Sequence, residues 1–578
     1  MSQHSIFLPT RPLPLIIHVM YAILYFISEK EPTTPGRAFV VTASKSAPNQ
    51  QEKHSDKVAK GEIRLVLSSI EGNLGYKTLE NQLPSLRDVD TSSKIWQDIK
   101  LSAKKASYVI SDALGPYYKE RNLIHCRQAS GFSLSLDGAT NKLGGLSKHL
   151  DLHLTFWHSG RGQVTHTLLS IIDLTSETAD IMKTEIIKAL DNEGLQLKKL
   201  FAIGRDNPNV NKSLMKMMTA EVQKVGGQII DYGACILHTA HNGFGKGLKE
   251  LSVDVDMLTK CIHGFFKKST IRREAFADEL LDIDEEPTNF RRHVTTRWLS
   301  MKPALVKIDK YFPAIEKYFL TSLPVLVAKG DTNAKEAKKT KYYELITTEI
   351  RKAKCRATIK QVIYVCDIFS PFMHEMQDDG PLIHRLYERC VYLLLSIVEC
   401  IIKESKVPSD AKDLPTLSLT EHNLTVPKMS PSAKECYNKL SSSNQKTLRE
   451  EFFKMFQTTG QYLQKEFQPF KSRLLRYLRV LDPLVQAEKS HSSGNNDVLN
   501  AAKLMGQFTT TEVDALSLQW DLINSVDVAY NKKGRIDIYY EKALNQLEMR
   551  HPNRNLHELK KFIQLTLSLP ASNALVER

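Results

Sequence analysis

Three runs of alternating apolar and polar residues, then one helical stretch and one short unbroken apolar run, restrict the fold of this chain most. Phe132, Leu134 and Leu136 alternate with Ser133, Ser135 and Asp137. That period of two predicts a half-buried strand with Asp137 on the side away from the leucines. Gly144-Gly145 predicts a turn. Leu150, Leu152, Leu154 and Phe156, alternating with Asp151, His153 and Thr155, predict a second strand. A turn at His158–Gly162 leads to a third, Val164 to Ile172. Strands so joined form an antiparallel meander. Met182, Ile186, Ala189 and Leu190 then share one face of a helix from Ala179 to Glu193. Leu200 to Ile203 is short and wholly apolar, as expected of a strand covered on both faces. Asn209 to Val225 reads as a helix, and Gln228 to Cys235 as a short fifth strand.

The flanking regions follow other rhythms. Phe244, Leu248, Leu251, Val255, Leu258, Ile262 and Phe265 recur at steps of four and three, which predicts one long helix. Residues 299–526 are mostly helical in pattern, with polar loops at Ser405–Pro431 and Ala487–Asp497. Val391 to Ile402 contains Glu399 and reads as a core helix. Short helical patterns occupy 62–119, and Glu31 to Lys60 is a polar linker. Leu15 to Ile27 is apolar but shorter than the ~20 residues that cross a bilayer. It suits a buried helix or a leader better than a membrane anchor. The fold class expected is α/β plus all-α. Its parts are an apolar segment and linker (1–60), a small helical domain (61–130) and an α/β core (131–298). A helical insertion (299–545) and a return to the core (546–578) complete it.

Two aspartates close the apolar strands: Asp137 in Asp137-Gly-Ala-Thr-Asn141, and Asp206 in Asp206-Asn-Pro-Asn209. Carboxylates carried together by neighbouring strands can hold divalent metal. Two metals about 3.5–4 Å apart activate water and stabilise the leaving oxygen of a phosphodiester. Either aspartate alone would equally serve as a turn or helix-cap residue. The chain of 578 residues carries a formal charge of +14, which suits a polyanionic partner or simply solubility. Its eight cysteines form no C-x-x-C pair and no zinc-finger spacing, so neither a disulfide framework nor a structural zinc site is expected. A reducing compartment is the default.

Strand, strand, strand, helix, strand, helix is the order of an RNase H-like core. In that topology the first and fourth strands lie side by side and parallel, and their carboxylates share a crevice. The succession Asp137, Asp206, Cys235-Ile-Leu-His238, Arg297-Trp298 and Ala571-Ser-Asn-Ala-Leu-Val-Glu577-Arg resembles the hAT superfamily of cut-and-paste DNA transposases. The resemblance covers about residue 60 to the end. It implies an RNase H-like core interrupted by a large helical insertion and rejoined through a C-terminal dimerisation segment. It implies a metal-binding catalytic triad of Asp137, Asp206 and Glu577 holding Mg2+ or Mn2+. Cys235 and His238 match the family's C-x-x-H signature, and Trp298 falls where the family contacts a flipped base.

Other roles stay open: Cys235 and His238 as core residues, and Trp298 as a core anchor. Arg297, Arg291 and Arg292 are candidate DNA contacts. So are the clusters at Lys267-Lys268, Arg272-Arg273, Lys335–Lys341, Arg351–Arg356 and Lys471–Arg479, each of which could instead be a solvated face. The partners implied are DNA and a second copy of the chain, with no small-molecule substrate and no membrane. The location implied is the nucleus.

Departures from the family pattern open an alternative. The first motif lacks the second acidic residue that relatives often carry, no zinc finger of the BED type is present, and only Arg578 follows Glu577. A catalytically silent, transposase-derived module that binds DNA or protein and dimerises is therefore the competing expectation.

Overall fold

The computed structural model describes residues 53–574 apart from 142–146, 207–208, 268, 284, 287–288, 295–299, 422, 489–490 and 532–533. The apolar run Leu15–Ile27 lies outside the described residues. The chain divides into two compact units, one ending at Ile124 and the other beginning at His125.

The first unit is helical. Helices α1 (His54–Glu71) and α2 (Tyr76–Val89) bring Val66, Leu79 and Leu83 together with Ile99, Leu101 and Ala106 in a small core. Helix α1 starts inside the stretch expected to be a linker, because Val58 already packs against this core.

The second unit is built on a mixed four-stranded sheet in a largely helical body. Strands β1 (Phe132–Asn141), β2 (Ser147–His158), β3 (Gln163–Leu174) and β4 (Leu200–Gly204) lie in the order β3-β2-β1-β4. β1 pairs antiparallel with β2, and β2 with β3, with a register shift between Leu152 and His153. β4 pairs with β1 in parallel and is buried along its whole length. Helix α3 (Ala179–Asn192) makes the crossover, burying Met182, Ile186 and Leu190, and Thr178 caps its start. Helix α4 (Asn209–Lys224) follows β4. The expected fifth strand shrinks to one parallel bridge, Ala202 to Ile230.

β1 departs from expectation: its first half, from Phe132 to Leu136, is buried on both faces. Ser133 and Ser135 are as inaccessible as the leucines between them, at 0% and 1% exposure. The Ser133 hydroxyl donates to the Ser568 carbonyl at 2.7 Å, 435 residues away. A segment from the far end of the chain thus covers the side that alternation assigns to solvent.

The expected long helix is two. Helices α5 (Ile236–Leu248) and α6 (Val255–Lys267) are separated at Asp254, whose carboxylate accepts the Met257 N–H at 2.9 Å as a cap. Its own N–H donates to Glu349 at 3.0 Å. The core runs on through α7 (Cys355–Glu375), α8 (Ile383–Val398) and α9 (Ser442–Glu466), and joins Phe201 and Ala202 of the sheet. The 299–545 stretch therefore shares one core with β4. Val391 to Ile402 lies largely in α8, with Leu393, Leu394, Ile397 and Val398 buried. The loop expected at Ala487–Asp497 is partly helical, since a helix runs from His491 to Met505. It buries Val498, Ala501, Ala502 and Met505 on one face. Helices α10 (Ile536–Arg550) and α11 (His557–Leu567) end the helical part. No helix among the described residues is long and apolar enough to cross a membrane.

Helix α5 crosses α9 at a glycine. A Cβ on Gly247 would sit 2.1 Å from the Thr459 hydroxyl and 2.8 Å from the Met455 carbonyl. The second of these is backbone and cannot rotate away. Gly247→Ala is expected to push the helices apart and cost about 1–3 kcal/mol in chemical denaturation. Unchanged stability would mean the crossing is looser than drawn.

Candidate functional site

The parallel register of β1 and β4 sets the geometry. Ser135 pairs with Gly204, so Asp137 and Asp206 each follow that pair by two residues. Side chains two apart share a sheet face, so the register predicts both carboxylates on the side of Ser135 and Gly204. That side is crowded. A Cβ on Gly204 would lie 2.8 Å from Asn573 Oδ1, 2.9 Å from Ser135 Oγ and 3.2 Å from the Pro570 ring. A side chain there would have to displace Asn573 or Ser135.

The electrostatics agree with this convergence. Burial raises the Asp137 carboxyl above its usual value, and the charge of Asp206 raises it further. His238 and the Gly138 N–H act in the opposite sense, and Asp151 again raises it. Asp151 is the cross-strand partner of Asp137 on β2, and its Oδ1 is buried with no hydrogen-bond partner among the described residues. His238 comes from the first turn of α5. Asp206 accepts a hydrogen bond from the Asn211 side-chain amide at the start of α4. Asn211 is 6% exposed, and its Oδ1 has no partner among the described residues.

Beside these groups the segment that follows α11 is docked. Asn573 donates from Nδ2 to the Leu136 carbonyl at 3.2 Å, and from its backbone N–H to Cys235 Sγ at 3.3 Å. Cys235 in turn donates its N–H to the Arg205 carbonyl at 2.6 Å.

Of the residues singled out in the sequence, the structure brings Asp137, Asp206 and His238 into one electrostatic neighbourhood. Cys235 is buried and touches Asn573 instead. Glu577, Arg297 and Trp298 lie outside the described residues. Arg291 and Arg292 are exposed, and the neighbouring His293 bonds Asp256 and Ser300 at 2.8 Å each. Burial lowers the Lys307 ammonium below its usual value, and Arg291 and Lys310 push it the same way. Those three cations therefore share a patch.

The pattern of the sequence missed Asn211 and the roles of Asp151 and Asn573. Asp151 was visible only as one alternating residue, because its pairing with Asp137 depends on hairpin register. Asn211 gave no local signal, and Asn573 appeared only as one residue of the Ala571–Arg578 motif.

Among the described residues no three His, Cys, Asp or Glu side chains are placed to hold a metal ion. Two features nonetheless suit a hard cation: a carboxylate pair whose charges repel, and a buried amide oxygen left without a donor. Oxygen donors of this kind fit Mg2+ or Mn2+ rather than a soft metal. No family model matches the chain, and no curated protein matches it.

Proposed function

We propose that this chain is a hAT-type, transposase-derived protein that binds DNA, with an RNase H-like core and a divalent-metal site formed by Asp137, Asp206 and Glu577. The observation that carries the reading is the parallel β1–β4 pairing that delivers Asp137 and Asp206 to one end of the sheet. The strand order β3-β2-β1-β4, with the further bridge to Ile230, supports the RNase H-like assignment. Asn573 docks four positions before Glu577, which supports its membership of the site.

Asp137 and Asp206 would hold Mg2+ or Mn2+ from two strands, and Asn211 fixes the orientation of Asp206. When bound, the metal supplies a lowered pKa for the attacking water or 3′-hydroxyl and charge stabilisation at phosphorus. The pairing of β1 with β4 through Ser135 and Gly204 would hold the two carboxylates near one another despite their repulsion. His238 acts against the rise of the Asp137 carboxyl. Arg291, Lys307 and Lys310, with Arg292 and Arg297, would meet backbone phosphates, and Trp298 an unstacked base. DNA is the partner in this reading, with self-association and a nuclear location.

The silent alternative draws on a specific observation: burial and the charge of Asp206 both oppose the charged form of Asp137 when no cation offsets them. Metal-dependent nicking of supercoiled DNA separates the two readings. Asp137→Ala and Asp206→Ala are each expected to lower nicking at least about 100-fold, beyond the 10–100-fold typical of outer-shell partners. Equal residual nicking in wild type and both variants would leave the binding module as the function.

A further inference from the structure

We propose that the turn Asp231–Cys235 is a clamp, in which Tyr232 and Cys235 act as positioning residues that hold the C-terminal strap Ser568–Asn573 against the carboxylate strands. The link to catalysis rests on the function proposed above; the clamp itself stands on hydrogen bonds.

The strap leaves α11 and crosses the serine side of the sheet. Ser133 Oγ holds its first residue at 2.7 Å, and Asn573 ends it on the Leu136 carbonyl, one residue from Asp137. Pro570 lies between, with a carbonyl but no N–H to offer. Tyr232 meets that carbonyl: its hydroxyl donates to it at 2.7 Å. Cys235 supplies an acceptor, Sγ, for the Asn573 N–H at 3.3 Å. Both side chains are buried, at 7% and 5% exposure. Burial, with Cys235 and Asp231 close by, pushes the Tyr232 phenol well above its usual value despite Arg205, so it stays a donor.

The same turn is tied to the strand that leads to Asp206. Cys235 N–H bonds the Arg205 carbonyl, and the Arg205 guanidinium meets the Asp231 carboxylate at 3.3 Å. Asp231 also accepts the Gly233 N–H at 2.9 Å. Gly233 adopts a φ of +102°, which disfavours any side chain, and a Cβ there would strike Gln468 at 1.9 Å. The turn is therefore held in one shape. It grips the backbone before Asp206 on one side and the strap beside Asp137 on the other.

This bears on the carboxylate pair through Leu136. With Asn573 held on the Leu136 carbonyl, the backbone one residue before Asp137 keeps its cover. Releasing Asn573 would leave that carbonyl without this donor.

Simple packing predicts a different rank of substitutions. Cys235→Val keeps the apolar bulk and loses the acceptor; Cys235→Ser keeps an acceptor and loses apolar bulk. The experiment is hydrogen–deuterium exchange of the full chain, read at residues 568–574, with Mn2+ titration of the same samples. Cys235→Val and Tyr232→Phe are expected to speed strap exchange about 3- to 10-fold, the worth of one net hydrogen bond, and to weaken Mn2+ binding by a similar factor. Cys235→Ser is expected to stay near wild type in both. Far-UV circular dichroism checks that each variant folds. Wild-type exchange in the valine variant, with fast exchange in the serine variant, would overturn the clamp in favour of packing. If exchange follows the expected rank but wild type binds no Mn2+, the metal reading falls and the clamp stands. If Mn2+ binds through Asp137 while Cys235→Val and Tyr232→Phe leave the strap unchanged, the clamp falls and the metal reading stands.

Discussion

Asp137→Asn is expected to raise the melting temperature of the metal-free protein, against the usual direction for a change in a buried strand. The reason is linkage. Burial, followed by the charge of Asp206, holds the Asp137 carboxyl above its usual value. The folded state then binds that proton more tightly than the unfolded state does. Stability accordingly falls as pH rises from the ordinary aspartate value through the raised one, and it stays lower at neutral pH. Asparagine has the same shape and no charge, so it removes the loss. The benefit should shrink towards pH 4 and below, where wild type is itself protonated. A bound cation relieves the same repulsion. At about 100 times its Kd, Mg2+ would add about 2.7 kcal/mol to wild type, and little to the variant. Differential scanning calorimetry at several pH values, with and without Mg2+, reads all of this. A lower melting temperature for Asp137→Asn at pH 7, with an undiminished Mg2+ response, would remove Asp137 from the site.

Asp537→Ala should be the most damaging single change outside the candidate site. Asp537 is fully buried at the start of α10. Its Oδ2 accepts the Val164 N–H at 2.9 Å and an Arg535 guanidinium N–H at 2.5 Å. Its Oδ1 accepts Arg535 Nε at 3.1 Å and the Ile538 N–H at 3.0 Å. Arg535 also donates to the Val164 carbonyl at 2.9 Å. Both backbone groups of Val164 on edge strand β3 are thus met by one ion pair, where a neighbouring strand would otherwise sit. Alanine strands a buried N–H and leaves Arg535 without its counter-charge. Breaking such a pair costs about 3–5 kcal/mol. The Arg535 side chain is 30% exposed, so water takes part of its charge and the lower end, about 3 kcal/mol, is expected. Asp537→Asn keeps one acceptor for Val164 and should cost roughly half as much. Urea denaturation showing both variants within about 0.5 kcal/mol of wild type would mean the edge needs no such cover.

The strands that position the candidate site were legible because period two is a local signal. Phe132 and Leu200 begin β1 and β4 where the pattern places them. The solvent side of β1 was misread because serine is ambiguous: its hydroxyl is content in water or against a carbonyl. The partner carbonyl, Ser568, could not be inferred from neighbours in sequence. The α5–α6 break was hidden because apolar spacing continues across it. Leu251 and Val253 are buried in the joining turn as they would be in a helix. The roles of Asp151, Asn211 and Asn573 escaped notice for the reason that of Ser568 did: register and docking, not spacing, bring them to the aspartates.

The bond between Ser133 and Ser568 also sets a schedule for synthesis. At about 5–20 residues per second, the intervening 435 residues take roughly 20–90 s to leave the ribosome. For that interval a nascent chain must carry β1 with one side uncovered. An apolar side would invite aggregation or capture by a chaperone. Ser133 and Ser135 are hydrated while they wait and are accommodated once the cover arrives. The serines that made β1 look like a surface strand are what let its completion be postponed.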